Sequence, residues 1–473
     1  MSTTADTASP HQLLAARPFG IRDRVGYLFG DLGNDFTFLL ANAFLMVYYT
    51  NVAGLNPAHV GTLFLAARLI DAFTDVGWGR FLDRHAPSSH GRFRPWIGRV
   101  AVPLAVASAL MYLPMVGDWD YGLRLAFAAI TYLLWGSVFY TVANISYGSM
   151  ASVLTIVPEE RASLSVFRGI GANSAGLLVS LVPPLIVFGM VDGTSQLMPG
   201  RLFATAIVFS ALAALWYWIC VANVRERVAA PPRDASARSF LSLVRSLAGS
   251  RPLLTLISAN IVIMLGSLLY GTMAAYLWLY HFNDGSLSGP AQLASFLPGL
   301  LLSPIAARLA TRFGKKEVVT TALLATGTLY VLLFALHIAS PWIFIGLAFL
   351  AGFGLGFYNL LIWALVGDVI DAEEVRSGER DDGTVYAINT WARKVGQAIA
   401  GGVGGFALAI VGFRSGEDVQ SAATIDGIYL FSTLVPGVLY LLAGLILLVL
   451  FPLGRRRVQQ NAEALAHRRD ETA

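Results

Sequence analysis

Two aspartates, Asp71 and Asp75, stand four residues apart in Arg68-Leu-Ile-Asp-Ala-Phe-Thr-Asp75, which closes an apolar run opened by Val60-Gly-Thr-Leu-Phe-Leu-Ala-Ala67. Four residues of helix turn a side chain by about 40° around the axis, so both carboxylates share a face, with Arg68 one turn earlier nearly on it. An acid at bilayer depth costs roughly 2.5 to 3.5 kcal/mol even on the lenient insertion scale, so that face must look into a polar interior and mark an ion or substrate path. Two chemistries suit the pair. Carboxylate and hydroxyl oxygens can ligate a hard cation such as Na⁺; alternatively, a carboxyl group in low dielectric can hold and carry a proton. Thr74 and Thr141 add hydroxyl oxygens beside the pair. The competing reading is a helix-packing ion pair, but two acids exceed one base and buried ion pairs are a poor source of stability.

Further polar residues interrupt other apolar runs. Asp35 lies in Gly30-Asp-Leu-Gly-Asn-Asp35-Phe, with Asp31 nearer the inside end, and Arg168 is a second basic partner for these acids. Tyr140 and Asn144, one turn apart, carry phenol and amide groups suited to a hydroxyl-rich ligand. Asn359 and Trp363 have the same spacing and can bond to and stack on a sugar ring. The chain has three lysines, and Lys394 lies deep in the apolar eleventh segment, with Thr390 four residues before it on the same face. Arg393 projects about 100° away and is expected to snorkel or pair near the inside end. Asp368 and Asp371 belong to a charged stretch, continued by Arg376 to Asp382, that reads either as a solvated inside loop or as a gate of breakable ion pairs. No metal-ligand spacing built on His and Glu, serine elbow or nucleotide fingerprint accompanies them, so the sequence does not read as an enzyme and implies no cofactor.

The elements that must position these groups are membrane helices. The chain is 473 residues long, 56% hydrophobic and 13% charged, which is too apolar for a soluble globular protein. About twelve apolar segments of some 20 residues are expected. The first six run over about 25–50, 58–81, 97–116, 123–147, 167–190 and 202–224, and six more start near 253, 292, 318, 342, 384 and 428. The basic stretch Asp83 to Trp96, the linker 225–252 and Gly454-Arg-Arg-Arg457 place both termini in the cytoplasm by the positive-inside rule. The expected organisation is a cytoplasmic N-terminus 1–24, an N-terminal six-helix bundle 25–224, a cytoplasmic linker 225–252, a C-terminal six-helix bundle 253–453 and a cytoplasmic tail 454–473. Gly91-Arg-Phe-Arg-Pro after the second segment and Thr311-Arg-Phe-Gly-Lys-Lys316 after the eighth echo one another, as two related bundles would. The pI near 9.1 does not signal nucleic acid, because the arginines sit in short loops beside apolar segments. Cys220 is the only cysteine, which excludes an internal disulfide. Gly401-Gly-Val-Gly-Gly405 reads as a helix-packing surface.

Taken together, Tyr48-Tyr-Thr-Asn-Val-Ala-Gly54, Arg68 to Asp75, Gly91-Arg-Phe-Arg-Pro-Trp96, Tyr140-Thr-Val-Ala-Asn-Ile-Ser-Tyr-Gly148, Asp368-Val-Ile-Asp371 and Gly383 to Lys394 resemble the glycoside-pentoside-hexuronide cation symporters, the melibiose-carrier branch of the major facilitator superfamily. The resemblance spans nearly the whole chain. It implies an all-α membrane protein in which two six-helix bundles take up a sugar or glycoside with Na⁺ or H⁺ by alternating access. It further implies that Asp71 and Asp75, lined by Thr74 and Thr141, are the cation pair, that Asp35 and Arg168 contact the sugar, and that Thr390 and Lys394 are the contribution of the eleventh helix. Arg68, Asp368 and Asp371 are the expected gating residues. Asn144 stands where the melibiose carrier has an acid, Gly148 where it has a stacking tryptophan, and Ser146 replaces the usual proline, which is expected to straighten the fourth helix. The expected protein works as a monomer in the inner membrane, its partners being the lipid bilayer and a small-molecule sugar. A carrier of lysolipids or other amphiphiles on the same fold, and a non-transporting sensor, are the competing readings.

Overall fold

A computed structural model describes residues 17–85, 88, 90–228, 249–377 and 382–472. Most of the expected N-terminal segment 1–24, most of the linker 225–252 and part of the stretch between Arg376 and Asp382 lie outside the described residues, as do the side chains of Thr390 and Lys394.

Hydrocarbon offers no partner for a backbone amide, so spanning segments must close their own hydrogen bonds as helices. In the first half these are α1 (Ile21–Val47), α2 (Pro57–Arg84), α3 (Arg94–Leu110), α4 (Tyr121–Leu133), α5 (Thr141–Leu154), α6 (Pro158–Val187) and α7 (Pro199–Asn223). The second half has α8 (Arg251–Tyr276), α9 (Ser288–Phe313), α10 (Lys315–Leu336), α11 (Pro341–Ser377), α12 (Asp382–Ile410), α13 (Ala422–Ser432), α14 (Leu434–Leu445) and α15 (Arg455–Thr472). Prolines at the start of α2, α6, α7 and α11 fit the first turn, where their missing N–H costs nothing. Among the described residues, eight helices are long and apolar enough to cross a membrane. The first, second and eleventh expected spans are long enough, at 27, 28 and 29 residues, but carry the acids and bases singled out above, and the third is a 17-residue helix. Those first, second and eleventh spans carry Asp31 and Asp35, Arg68, Asp71 and Asp75, and Lys394 respectively.

Several helices outrun their expected limits. Pro158-Glu-Glu-Arg161, ahead of the expected span 167–190, is the first turn of α6, because a proline followed by acids is a good helix start. Asp368 and Asp371, expected in a loop, lie on the last turns of α11, which runs on to Ser377. The tail is the helix α15. A two-stranded antiparallel hairpin, β1 (Phe188–Val191) and β2 (Thr194–Leu197), interrupts the helical pattern. Its turn is Asp192-Gly193, both at positive φ, as a two-residue hairpin loop requires.

The chain divides into two units, one comprising residues Met1–Ala53, Ala66–Val179 and Met198–Ala237, the other Gly54–Leu65, Ser180–Leu197 and Arg238–Ala473. In the first, α1 and α3 pack on α7, and α5 on α3. A methyl group at Gly30 of α1 would collide with the Tyr147 ring of α5 and lie 2.9 Å from Cys220 of α7, so α1 approaches both closely only because that residue is bare. In the second unit α11 packs on α9 and α10, and α12 on α8. There the expected glycine surface is used: a methyl group at Gly405 would lie 2.7 Å from the Gly61 backbone.

Candidate functional site: a carboxylate and hydroxyl ladder

The fourth span is not one regular helix. Between α4 and α5 the chain makes a π-helical stretch, Leu134–Tyr140, the kind of local widening that concentrates at functional sites. It turns two hydroxyls four residues apart toward the two acids four residues apart on α2. Ser137 Oγ donates to Asp71 Oδ1 at 2.5 Å and Thr141 Oγ1 donates to Asp75 Oδ1 at 3.0 Å. Equal sequence separations on both sides give two rungs in register. A third polar contact follows farther along, Trp78 Nε1 donating to Ser146 Oγ at 3.3 Å; α5 is one continuous helix through Ser146.

Thr74 completes the arrangement. Its hydroxyl sits 3.4 Å from Thr141 Oγ1 and 3.2 Å from the Asp71 carbonyl. Arg68 Nη1 lies 3.5 Å from Asp71 Oδ2, and its guanidinium covers the Phe38 ring at 5.4 Å. Asp71, Thr74, Asp75 and Thr141 are therefore brought together, with Arg68 as the local counter-charge. On the same helix Leu69, Phe73 and Val76 are exposed, so the stretch around the two acids keeps these apolar side chains outward while Asp71 and Asp75 face the fourth span.

Beside the ladder lies a second polar cluster. Asn34 Nδ2 donates to the Tyr140 hydroxyl at 2.9 Å and lies 3.4 Å from Asp35 Oδ1, while Tyr217 donates to Asn34 Oδ1 at 3.3 Å. Asn34 thus ties α1, the fourth span and α7 together. Arg168 Nε donates to Asp31 Oδ1 at 3.0 Å and covers the Tyr147 ring at 5.6 Å. Asp31 is buried, whereas about half of the Arg168 side chain stays exposed at 47%. Arg168 is therefore paired with Asp31, not with Asp35. Asn144 is half-buried one turn from Tyr140. Tyr140 and Thr141 are consecutive, so one peptide joins the two clusters.

In the second unit, Lys315 Nζ pairs with Asp368 Oδ1 at 2.5 Å, and Asp371 lies one turn on along α11. Asn359 and Trp363 are exposed on one face of α11. The Arg393 guanidinium, expected to snorkel or pair near the inside end, covers the Trp363 ring at 5.6 Å. Behind them, Tyr358 donates to Asn260, whose amide reaches Asn389 Oδ1 at 3.3 Å.

Sequence reasoning passes over Ser137 and Asn34, and offers Arg168 as a partner to the nearby acids without choosing Asp31. Ser137 had a signal: it precedes Thr141 by the interval that separates Asp71 from Asp75.

A family model described as "MFS/sugar transport protein" matches residues 26–455. The chain belongs to that family. Among relatives, it is 33% identical to a protein of Salmonella typhimurium named "Putative 2,3-dihydroxypropane-1-sulfonate exporter", over 94% of this chain and 96% of that one. It is 31% identical to the "Glucuronide carrier protein homolog" of Escherichia coli, over 95% and 96% of the two chains. The fold matches the crystal structure of a D-xylose-proton symporter with a TM-score of 0.61 at 15% identity, covering 91% of this chain and 98% of that one. The protein is accordingly a secondary transporter with the all-α fold of the major facilitator type, the short hairpin apart, and the resemblance to glycoside-pentoside-hexuronide carriers drawn from its motifs holds.

Proposed function

We propose that this transporter moves a sugar or glycoside together with Na⁺ or H⁺ by alternating access across the inner membrane. It acts as a monomer with both termini in the cytoplasm, through bundles at 25–224 and 253–453 joined by the linker 225–252 and followed by the tail 454–473. The observation that carries this reading is the convergence of Asp71, Asp75, Thr74 and Thr141 beside Arg68.

The paired carboxylates give coupling a physical basis. Two acids side by side are costly to seal into a low-dielectric interior, so closure around the site is favoured once a cation has bound between them. The cation's own descent supplies about 2.3 kcal/mol per 100 mV, or roughly fiftyfold accumulation per charge. Asp35, Tyr140, Asn144 and Arg168 offer donors and acceptors to sugar hydroxyls, and Asn359, Trp363, Thr390 and Lys394 are the assigned contribution of the second bundle. Arg68, Asp368 and Asp371 are assigned to gating, their ion pairs breaking and re-forming between states. Because Tyr140 belongs to the sugar cluster and Thr141 to the cation cluster, filling one site shifts a backbone shared with the other. The names of relatives, which include a glucuronide carrier homologue and an "Isoprimeverose transporter", favour a sugar or a modified sugar as cargo.

The test is a thermal-shift panel of the purified protein against sugars, glycosides and lysolipids, with Na⁺ present or absent and at two pH values. A ligand that binds only the folded state raises the melting temperature. Stabilisation by a sugar that grows with Na⁺ or with proton concentration is expected; stabilisation by lysolipids alone would replace the sugar reading with an amphiphile carrier.

A further inference from the structure

Buried hydroxyls in membrane helices usually satisfy themselves by bonding back to the carbonyl four residues earlier. This protein does so repeatedly: Thr131 donates to Phe127 O at 2.8 Å, Thr205 to Arg201 O at 2.8 Å, Thr272 to Leu268 O at 3.0 Å and Ser432 to Ile428 O at 2.7 Å. Ser137 departs from that habit. It is buried at 4% exposure, lies inside the π-helical stretch, and gives its proton to Asp71 on another helix. Widening the turn from four to five residues displaces the carbonyl that would otherwise capture the hydroxyl. The preceding residue is glycine, and even a methyl group there would sit 3.9 Å from Asp71 Oδ1, so little stands between this stretch and the carboxylate.

The bond has a direction that matters. A serine hydroxyl has one hydrogen and two lone pairs. With the hydrogen committed to Asp71, the lone pairs are left for a cation, as are those of Thr141 when its hydrogen goes to Asp75. Transferring a proton needs a carboxylate and at most one neighbour, whereas an alkali ion stripped of water needs several oxygens arranged around it. Three hydroxyls, on Ser137, Thr141 and Thr74, gathered around two carboxylates exceed what a proton requires. Building on the cation-coupled reading, we propose that Ser137 is a further oxygen donor of the coupling site and helps set its selectivity among alkali ions. Neither the resemblance nor the relatives' names assign this residue.

The test compares wild type with Ser137→Ala, Ser137→Thr and Ser137→Cys in purified form, titrating Na⁺, Li⁺ and K⁺ and following the melting temperature, and repeats the Na⁺ titration on sugar uptake in proteoliposomes. Ser137→Ala is expected to raise the half-saturating Na⁺ about tenfold or more, to change the Li⁺ to Na⁺ preference, and to melt within a few degrees of wild type without salt. Ser137→Thr, which keeps the hydroxyl, should return Na⁺ affinity to within about threefold of wild type. Ser137→Cys keeps the volume but offers a poor donor to a hard ion, and should behave like the alanine variant; it and the threonine variant decide the matter if alanine fails to fold. Unchanged Na⁺ affinity and ion preference in Ser137→Ala or Ser137→Cys would overturn the assignment. So would a wild-type protein that ignores Na⁺ yet accumulates sugar on a proton gradient, a result that leaves the transport reading standing. Failure of every ion gradient to drive uptake would instead remove the reading beneath it.

Discussion

Thr141 donates its hydroxyl proton to Asp75 across 3.0 Å, joining two helices at residues 66 positions apart in the chain. With the Ser137–Asp71 bond one turn away it makes a two-rung ladder between α2 and the fourth span. The hydrogen bonds orient both carboxylates, and on the proposed function the hydroxyl lone pairs are shared with a cation.

Thr141→Val keeps the branched shape and deletes the oxygen. A hydrogen bond to a charged group contributes about 1.5 to 3 kcal/mol, so the cation concentration for half-maximal uptake should rise by about tenfold or more, with Thr141→Ser near wild type. Uptake initial rates against Na⁺ and against pH measure both. Equal behaviour of the valine and serine variants would show that the hydroxyl is not used.

The Asp31–Arg168 pair makes a different forecast. Asp31→Asn removes the charge that holds Arg168 Nε at 3.0 Å while keeping the side-chain shape. Because nearly half of the Arg168 side chain is solvated, the loss of stability should stay near ~1 kcal/mol, well below the penalty for orphaning a fully buried charge. The guanidinium should then wander, raising the KM for sugar more than it lowers kcat. Thermal melting and uptake kinetics separate the two effects, and Asp31→Glu should recover part of the affinity.

Packing in the second unit can be probed independently. Gly405 faces the Gly61 backbone, where a methyl group would come within 2.7 Å, whereas nothing lies within 4 Å of a methyl group at Gly271. Gly405→Leu should separate the two segments, lower the melting temperature and sharply reduce uptake; Gly271→Ala should melt close to wild type. Overpacking of this kind typically costs about 1 to 3 kcal/mol.

Trp363, exposed on α11 beneath Arg393, offers a stacking surface for a sugar ring. Trp363→Ala should weaken sugar binding by about tenfold, with Trp363→Phe intermediate, since the larger indole presents more area and the stronger cation site. Thermal-shift titrations with the best sugar found would register the change without requiring transport.

How far the sequence revealed this arrangement depended on what each feature costs in lipid. Asp71, Asp75, Asp35 and Arg168 stood out because a charge in an apolar run demands an explanation, and the four residues expected at the cation pair do converge. Ser137 was less visible because a serine in a membrane helix is ordinarily satisfied by its own backbone; only the π-helical stretch, which leaves no mark in composition, redirects it. The helix ends were misjudged at Pro158-Glu-Glu-Arg161 and Asp368 to Glu374 for a related reason. Charge there signals the membrane boundary but also suits a helix that runs on into water. The hairpin was announced by Asp192-Gly193, a two-residue signal easily lost between long apolar runs.

The most direct test of the central claim is sugar accumulation in membrane vesicles carrying wild type or Asp75→Asn, under an imposed inward gradient of Na⁺ or H⁺ and again with none. Wild type should concentrate sugar above the outside level only when the gradient is present. Asp75→Asn, which removes one negative charge from the site, should lose accumulation while still equilibrating or exchanging labelled sugar. Uphill accumulation by Asp75→Asn equal to wild type would contradict the account, because the acid at the centre of the ladder would then have no part in coupling.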